Sequence, residues 1–141
     1  MSRIFFDSML FIYMLDGHPA YSARVLHLLS RTATRGDTLY TSYLTLGEVV
    51  AGAANSLNPA KRHAVRSTLD AIGFSYLPFG EHAVSPFGQL RSQTRLKTAD
   101  AINLACAAAA GMDLFWTGDK QLIGLHVPGI QFIADFNTDV I

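Results

Sequence analysis

The sequence predicts an α/β domain built on a mostly parallel sheet. Short apolar runs alternate with longer stretches of helical periodicity. Gly, Pro and Asp punctuate the boundaries between them. The 141 residues, 50% hydrophobic and 16% charged, suffice for one domain with its own core, and no linker, internal repeat or low-complexity tract divides them. Either a well-filled core or a surface covered by a partner accounts for so apolar a composition.

Arg3 to Phe6 reads as a short buried strand. Residues 8–15 read as a helix with Leu10, Phe11, Ile12, Met14 and Leu15 on its buried side, punctuated by Gly17 and Pro19. A second helix over 20–34 carries the apolar stripe Val25, Leu26, Leu28 and Leu29. Gly36-Asp37 is a turn, and 38–42 is the second strand. Thr45 reads as the N-cap of the next helix, with Glu48 three residues on. That is the spacing of a capping box and offers Glu48 a purely structural role. This helix runs to about Ala54, residues 55–59 are a break, and another helix spans 60–72 before Gly73. Phe74 to Leu77 is a third strand, closed by Pro78 and Gly80. Residues 81–94 read as helical in spite of Pro86 and Gly88. Thr98 reads as the N-cap of a helix over 99–110, and Gly111 as its C′ residue. Residues 113–116 form a fourth strand, 119–124 a short helix or turn, and Gln131 to Ala134 a fifth, edge strand.

The helix over 99–110 is nearly all small or apolar, so it belongs deep in the domain against the sheet. Asp100 sits in its first turn, where the helix dipole favours a carboxylate by roughly 0.3–1 kcal/mol. That alone is a sufficient structural reason for Asp100.

Net charge is zero and the pI is near 7, so the overall electrostatics do not advertise nucleic-acid binding. Basic residues do cluster locally, in Lys61-Arg62-His63 with Arg66, and in Arg91, Arg95 and Lys97. Such clusters serve either as a solvated face or as phosphate contacts. The single cysteine, Cys106, excludes an intramolecular disulfide and reads as a small buried side chain, which suits a cytoplasmic protein. The apolar run from Ile4 to Leu15 is interrupted by Asp7, is shorter than the roughly 20 residues a membrane span needs, and makes a poor signal peptide. No phosphate-binding glycine loop, Gly-x-Ser-x-Gly elbow, cysteine-pair zinc site or metal-spaced histidines are present.

Four acids remain: Asp7, Glu48, Asp100 and Asp119 stand where strands should end and helices begin. In an open parallel sheet, ligands bind outside the carboxyl ends of the strands, where these carboxylates could converge. Two unit charges 4 Å apart cost on the order of 4 kcal/mol at an effective dielectric near 20. Such a cluster needs protonation or a cation, and oxygen donors suit Mg²⁺ or Mn²⁺. On spacing alone, a shared metal site and a set of structural acids both stay open.

The local sequences around these acids resemble the PIN domain family, and within it the VapC-type toxins of toxin–antitoxin pairs. Four stretches carry the likeness: Ile4-Phe5-Phe6-Asp7-Ser8 continuing through Phe11-Ile12-Tyr13; Thr41 to Val50; Leu96 to Ala105; and Phe115-Trp116-Thr117-Gly118-Asp119-Lys120. Their order and spacing cover nearly the whole chain. The resemblance implies a three-layer α/β/α sandwich around a central parallel sheet, with residues 1–141 as one PIN-like domain. It implies a Mg²⁺- or Mn²⁺-dependent endoribonuclease whose acidic site maps onto Asp7, Glu48, Asp100 and Asp119, supported by the hydroxyls of Ser8 and Thr117. Cleavage would leave a 5′-phosphate and a 3′-hydroxyl. One departure stands out: Gly118 occupies a position where many members carry Asn. A cognate antitoxin and homodimerisation are further implications. Arg91, Arg95 and Lys97, just ahead of the helix presenting Asp100, are candidates for substrate phosphate contacts. The alternative class is a catalytically inactive PIN-like protein-binding module, with the helices over 44–54 and 60–72 offering a groove. A metal-dependent phosphatase lacks its Asp-x-Asp motif.

Overall fold

The computed structural model describes residues 1–54 and 59–141, and the side chains of all these except 53–62. The break expected at 55–59 lies almost wholly outside the described residues. The elements are β1 (Arg3–Phe6), α1 (Ser8–Leu15), α2 (Ser22–Arg35), β2 (Thr38–Ser42), α3 (Tyr43–Ala54) and α4 (Pro59–Ile72). Then come β3 (Phe74–Leu77), a 3₁₀ turn (Glu81–Ala83), α5 (Val84–Gln93), α6 (Thr98–Ala110), β4 (Met112–Thr117) and β5 (Ile130–Asp135).

The sheet has five strands in the order β3-β2-β1-β4-β5, and every pairing is parallel. Successive strand residues face opposite sides. Ile4, Phe6, Leu114 and Trp116 therefore join a core with residues of α1 to α4, while Phe5 and Phe115 join a second core with residues of α5 and α6. The result is the α/β/α sandwich. Phe5 and Phe115, neighbours in register, stack with centroids 4.7 Å apart. The chain runs outward from β1 to β2 and β3, then returns to the other side of β1 as β4. The gap between the carboxyl ends of β1 and β4 is the topological switch point, where open α/β sheets bind ligands.

Several local features differ from the sequence reading. The cap of α3 is Ser42, not Thr45: Ser42 Oγ accepts from the Thr45 N–H at 3.0 Å. Thr45 is buried inside the first turn, so Glu48 belongs to no capping box. Likewise α6 begins at Thr98, with Lys97 at its N-cap position and no side-chain cap. Gly111 closes α6 as expected, at φ 79°. Pro86 is tolerated because α5 starts at Val84, which places it in the first turn, where a missing N–H breaks no helical bond. Ile12 and Leu15 point outward, as does Leu26 on α2. The first helix is apolar around most of its circumference, so periodicity could not select the face that Leu10 and Phe11 bury.

Cys106 is buried, and that burial pushes its thiol up to about 11. No helix among the described residues is long and apolar enough to cross a membrane.

Candidate metal and active site

Asp7 is the residue that leaves β1. Its N–H still bonds to the Trp116 carbonyl of β4 at 3.0 Å, so the sheet itself aims the residue at the switch point. It is only 3% exposed. Oδ1 accepts from the Ser8 N–H at 2.8 Å, which makes Asp7 the N-cap of α1, and from Asn103 Nδ2 at 3.2 Å. Oδ2 accepts from the Thr117 hydroxyl at 2.8 Å. Burial raises the carboxyl above its ordinary value, Asp119 adds to the rise, and the hydrogen bonds from Thr117, Ser8 and Asn103 oppose it.

Asp119 follows β4 by two residues. Its N–H donates to Thr117 Oγ1 at 3.0 Å, and its Oδ1 accepts from the Gln121 N–H at 2.9 Å, which closes the turn. Asp100 stands half-buried in the first turn of α6. Burial, then Asp7 and Asp119, raise its carboxyl, and Lys97 partly offsets them. Glu48 lies on α3 at the exposed rim. Partial desolvation and Asp100 raise it, with the Ser8 hydroxyl in opposition. Charge thus links all four acids that the sequence singled out. Among the described residues none of them forms an ion pair.

Their donor chemistry fits a hard divalent cation: oxygen ligands, excess negative charge, and a buried anchor already held by three donors. As they stand, however, no group of three His, Cys, Asp or Glu side chains among the described residues is arranged to hold an ion. Asp7 is locked by hydrogen bonds, and no hydrogen bond among the described residues holds the Asp100 carboxylate. Two open clefts lie elsewhere, one of them beside Met1, Asp113, Phe132 and Ile141, and neither contains any of the four acids.

The two hydroxyls named as supports, Ser8 and Thr117, both lie among the polar groups around Asp7. Thr117 contacts Asp7 directly, and Ser8 Oγ lies 3.0 Å from Thr45 Oγ1. The sequence reading missed the hub beneath them. Asn103, 1% exposed, donates to Asp7 and to Ser8 Oγ at 3.3 Å. Its Oδ1 accepts from Ser42 at 2.5 Å and from Thr45 at 3.4 Å. The available signal was a lone polar residue on the apolar face of α6, one turn beyond Asp100.

At Gly118 a side chain would meet the Phe136 ring at 3.4 Å and the Tyr13 ring and hydroxyl at 3.5 and 3.6 Å. Aromatic groups therefore line the space that the commoner Asn would enter. The basic candidates separate. Lys97 acts electrostatically on Asp100, and Arg95 is exposed beside it. Arg91 is exposed, with one guanidinium N–H donating to the Leu96 carbonyl at 2.5 Å. Arg66 lies 3.9 Å from Asp70 and over the Tyr76 ring. The side chains of Lys61 and Arg62 fall outside the description. The apolar residues Leu46 and Val49 of α3, and Val65 and Leu69 of α4, turn into the core rather than lining an open groove.

Residues 4–125 match the model of the PIN domain. No curated protein matches the chain. Among solved structures, VapBC2 from Rickettsia felis bound to a promoter DNA fragment superposes with a TM-score of 0.76 at 14% identity, over 94% of this chain and 97% of that one. DNA-bound VapBC from Salmonella typhimurium gives 0.73 at 21% identity, over 96% and 99%. A toxin–antitoxin complex from Klebsiella pneumoniae gives 0.65 at 21% identity, over 90% and 94%. At these identities the likeness is one of fold.

Proposed function

Because this chain belongs to the PIN domain family, we propose that it is a Mg²⁺- or Mn²⁺-dependent endoribonuclease, the toxin of a VapBC-type toxin–antitoxin pair. One observation carries the reading: the buried Asp7 carboxylate is held at the switch point by Thr117, Ser8 and Asn103, with the charges of Asp119 and Asp100 close enough to raise neighbouring carboxyls. Asp7, Asp100 and Asp119 would hold the principal ion, with Glu48 at the rim. A bound divalent ion supplies Lewis acidity, which makes a water more acidic and stabilises charge building on phosphate oxygens.

The chain's own groups do the rest. Asp7 presents a carboxylate held by Thr117, Ser8 and Asn103. Glu48, with its raised carboxyl, accepts a proton from the attacking water. The water oxygen bonds to phosphorus in line as the P–O3′ bond breaks, and the leaving oxygen takes a proton from solvent. Lys97 and Arg95 contact flanking phosphates. Mapping the ends of cleaved RNA tests this chemistry. A 5′-phosphate with a 3′-hydroxyl is expected, and a 2′,3′-cyclic phosphate would overturn it.

The neighbouring folds come from complexes of toxin with antitoxin, which supports a cognate antitoxin for this chain as well. Met9, Ile12 and Leu15 of α1 and Leu26 of α2 are exposed apolar side chains that such a partner would cover. Homodimerisation belongs to the same reading. A second reading, an inactive binding module, draws on the absence of a ready-made ion site among the described residues. Saturable Mn²⁺ binding that needs Asp100 separates the two.

A further inference from the structure

Asn103 lies on the helix that carries Asp100 and touches the segments that carry two other acids, Asp7 and Glu48. Its amide nitrogen reaches Asp7 at the end of β1 and Ser8 at the start of α1. Its amide oxygen receives the hydroxyls of Ser42, at the end of β2, and Thr45, in the first turn of α3. Asn103 itself lies three residues beyond Asp100, and Thr45 lies three residues before Glu48. Residues three apart share a helix face. One side chain thus ties the helices bearing Asp100 and Glu48 to the buried Asp7.

The amide can sit only one way round. Turned over, its oxygen would oppose the Asp7 carboxylate oxygen and the donor to Asp7 would be lost. At 1% exposure no solvent replaces a lost partner. Its neighbours on the same face of α6, Cys106 and Ala107, are both buried and apolar, so an apolar residue at 103 would suit packing better than an amide. A buried polar group with every partner met specifies geometry rather than adding bulk stability.

We propose that Asn103 is a positioning residue: it holds the Asp7 carboxylate in the orientation that the catalytic site uses, and it sets the first turns of α3 and α6 against it. This rests on reading the site as a metal-dependent nuclease centre. Its effect would be on chemistry and metal affinity, not on RNA binding, since it does not reach the surface.

Two substitutions test it. Asn103→Leu removes both halves of the amide. Asn103→Asp keeps an acceptor for Ser42 and Thr45 but loses the donor to Asp7. Thermal melting establishes that each is folded. Titration calorimetry with Mn²⁺ should then show affinity weakened about tenfold to a hundredfold, the range for outer groups that orient metal ligands. The kcat on RNA should fall with it while KM stays unchanged. In a metal-free crystal structure of either variant, the Asp7 carboxylate should have left the Thr117 hydroxyl. Asp7 unmoved, or Mn²⁺ affinity and kcat retained in a folded variant, would overturn the proposal. Wild-type protein that neither binds Mn²⁺ nor cleaves RNA would instead remove the nuclease reading, and the crystal comparison would still decide whether Asn103 positions Asp7.

Discussion

The Thr117 hydroxyl donates to Asp7 Oδ2 at 2.8 Å while accepting from the Asp119 N–H at 3.0 Å. A single oxygen at the end of β4 thereby spaces two of the acids. Thr117→Val keeps the shape and removes both bonds. It should cost about 1–3 kcal/mol of stability, the penalty for leaving a buried group unpaired. It should also lower kcat roughly tenfold to a hundredfold. Thr117→Ser, which keeps the hydroxyl, should restore most of both in melting and cleavage assays.

The raised carboxyls set a pH dependence of unusual sign. Asp100 binds its proton more tightly folded than unfolded, so above its ordinary value of 3.8 the folded state holds more protons. Stability from this group is then lost as pH rises through that window. Asp100→Asn should melt higher than wild type at neutral pH without metal, by roughly 2–5 °C for each kcal/mol relieved. The gain should shrink as pH falls towards and below 3.8, the ordinary value of the carboxyl. Melting curves across that range check the sign.

A divalent ion should relieve the same repulsion. Mn²⁺ at a hundred times its dissociation constant should stabilise the fold by about 2.7 kcal/mol. EDTA should reverse the gain in melting temperature, and Asp119→Asn should diminish it.

The three basic candidates should part company. Lys97→Ala and Arg95→Ala should weaken RNA binding and flatten its salt dependence, each by about one counterion's worth of slope. Arg91→Ala should leave the slope alone. It should lower thermal stability by roughly 0.5–1.5 kcal/mol through its lost bond to the Leu96 carbonyl. Filter binding at several salt concentrations separates the two effects.

Gly129 tests the fold away from the acids. At φ 100° an added Cβ would lie 2.4 Å from the Ala108 carbonyl oxygen of α6. Gly129→Ala should cost roughly 1–3 kcal/mol in backbone strain alone. Cleavage should survive below the lowered melting temperature.

The strands and the acids were legible in the sequence for the same physical reason. A buried parallel strand is a short apolar run, and Asp7 and Asp119 end two of them abruptly. Glu48 was ambiguous because Ser42 looks like strand. Only the hydrogen bond from the Thr45 N–H reveals it as the cap, which frees Glu48 from a capping role. Asn103 was hidden because its partners lie 58 to 96 residues away, a separation no local pattern encodes. The bond from Arg91 to the Leu96 carbonyl was not legible either, because sequence shows charge and not where the guanidinium points.

The most direct measurement is cleavage of total cellular RNA by the purified, antitoxin-free chain, with Mg²⁺ or Mn²⁺ and then with EDTA, beside Asp7→Asn. Discrete cleavage that stops with EDTA and is absent from Asp7→Asn is the expected result. Cleavage that persists in EDTA, or in a folded Asp7→Asn variant, would contradict a metal-dependent site built on these acids.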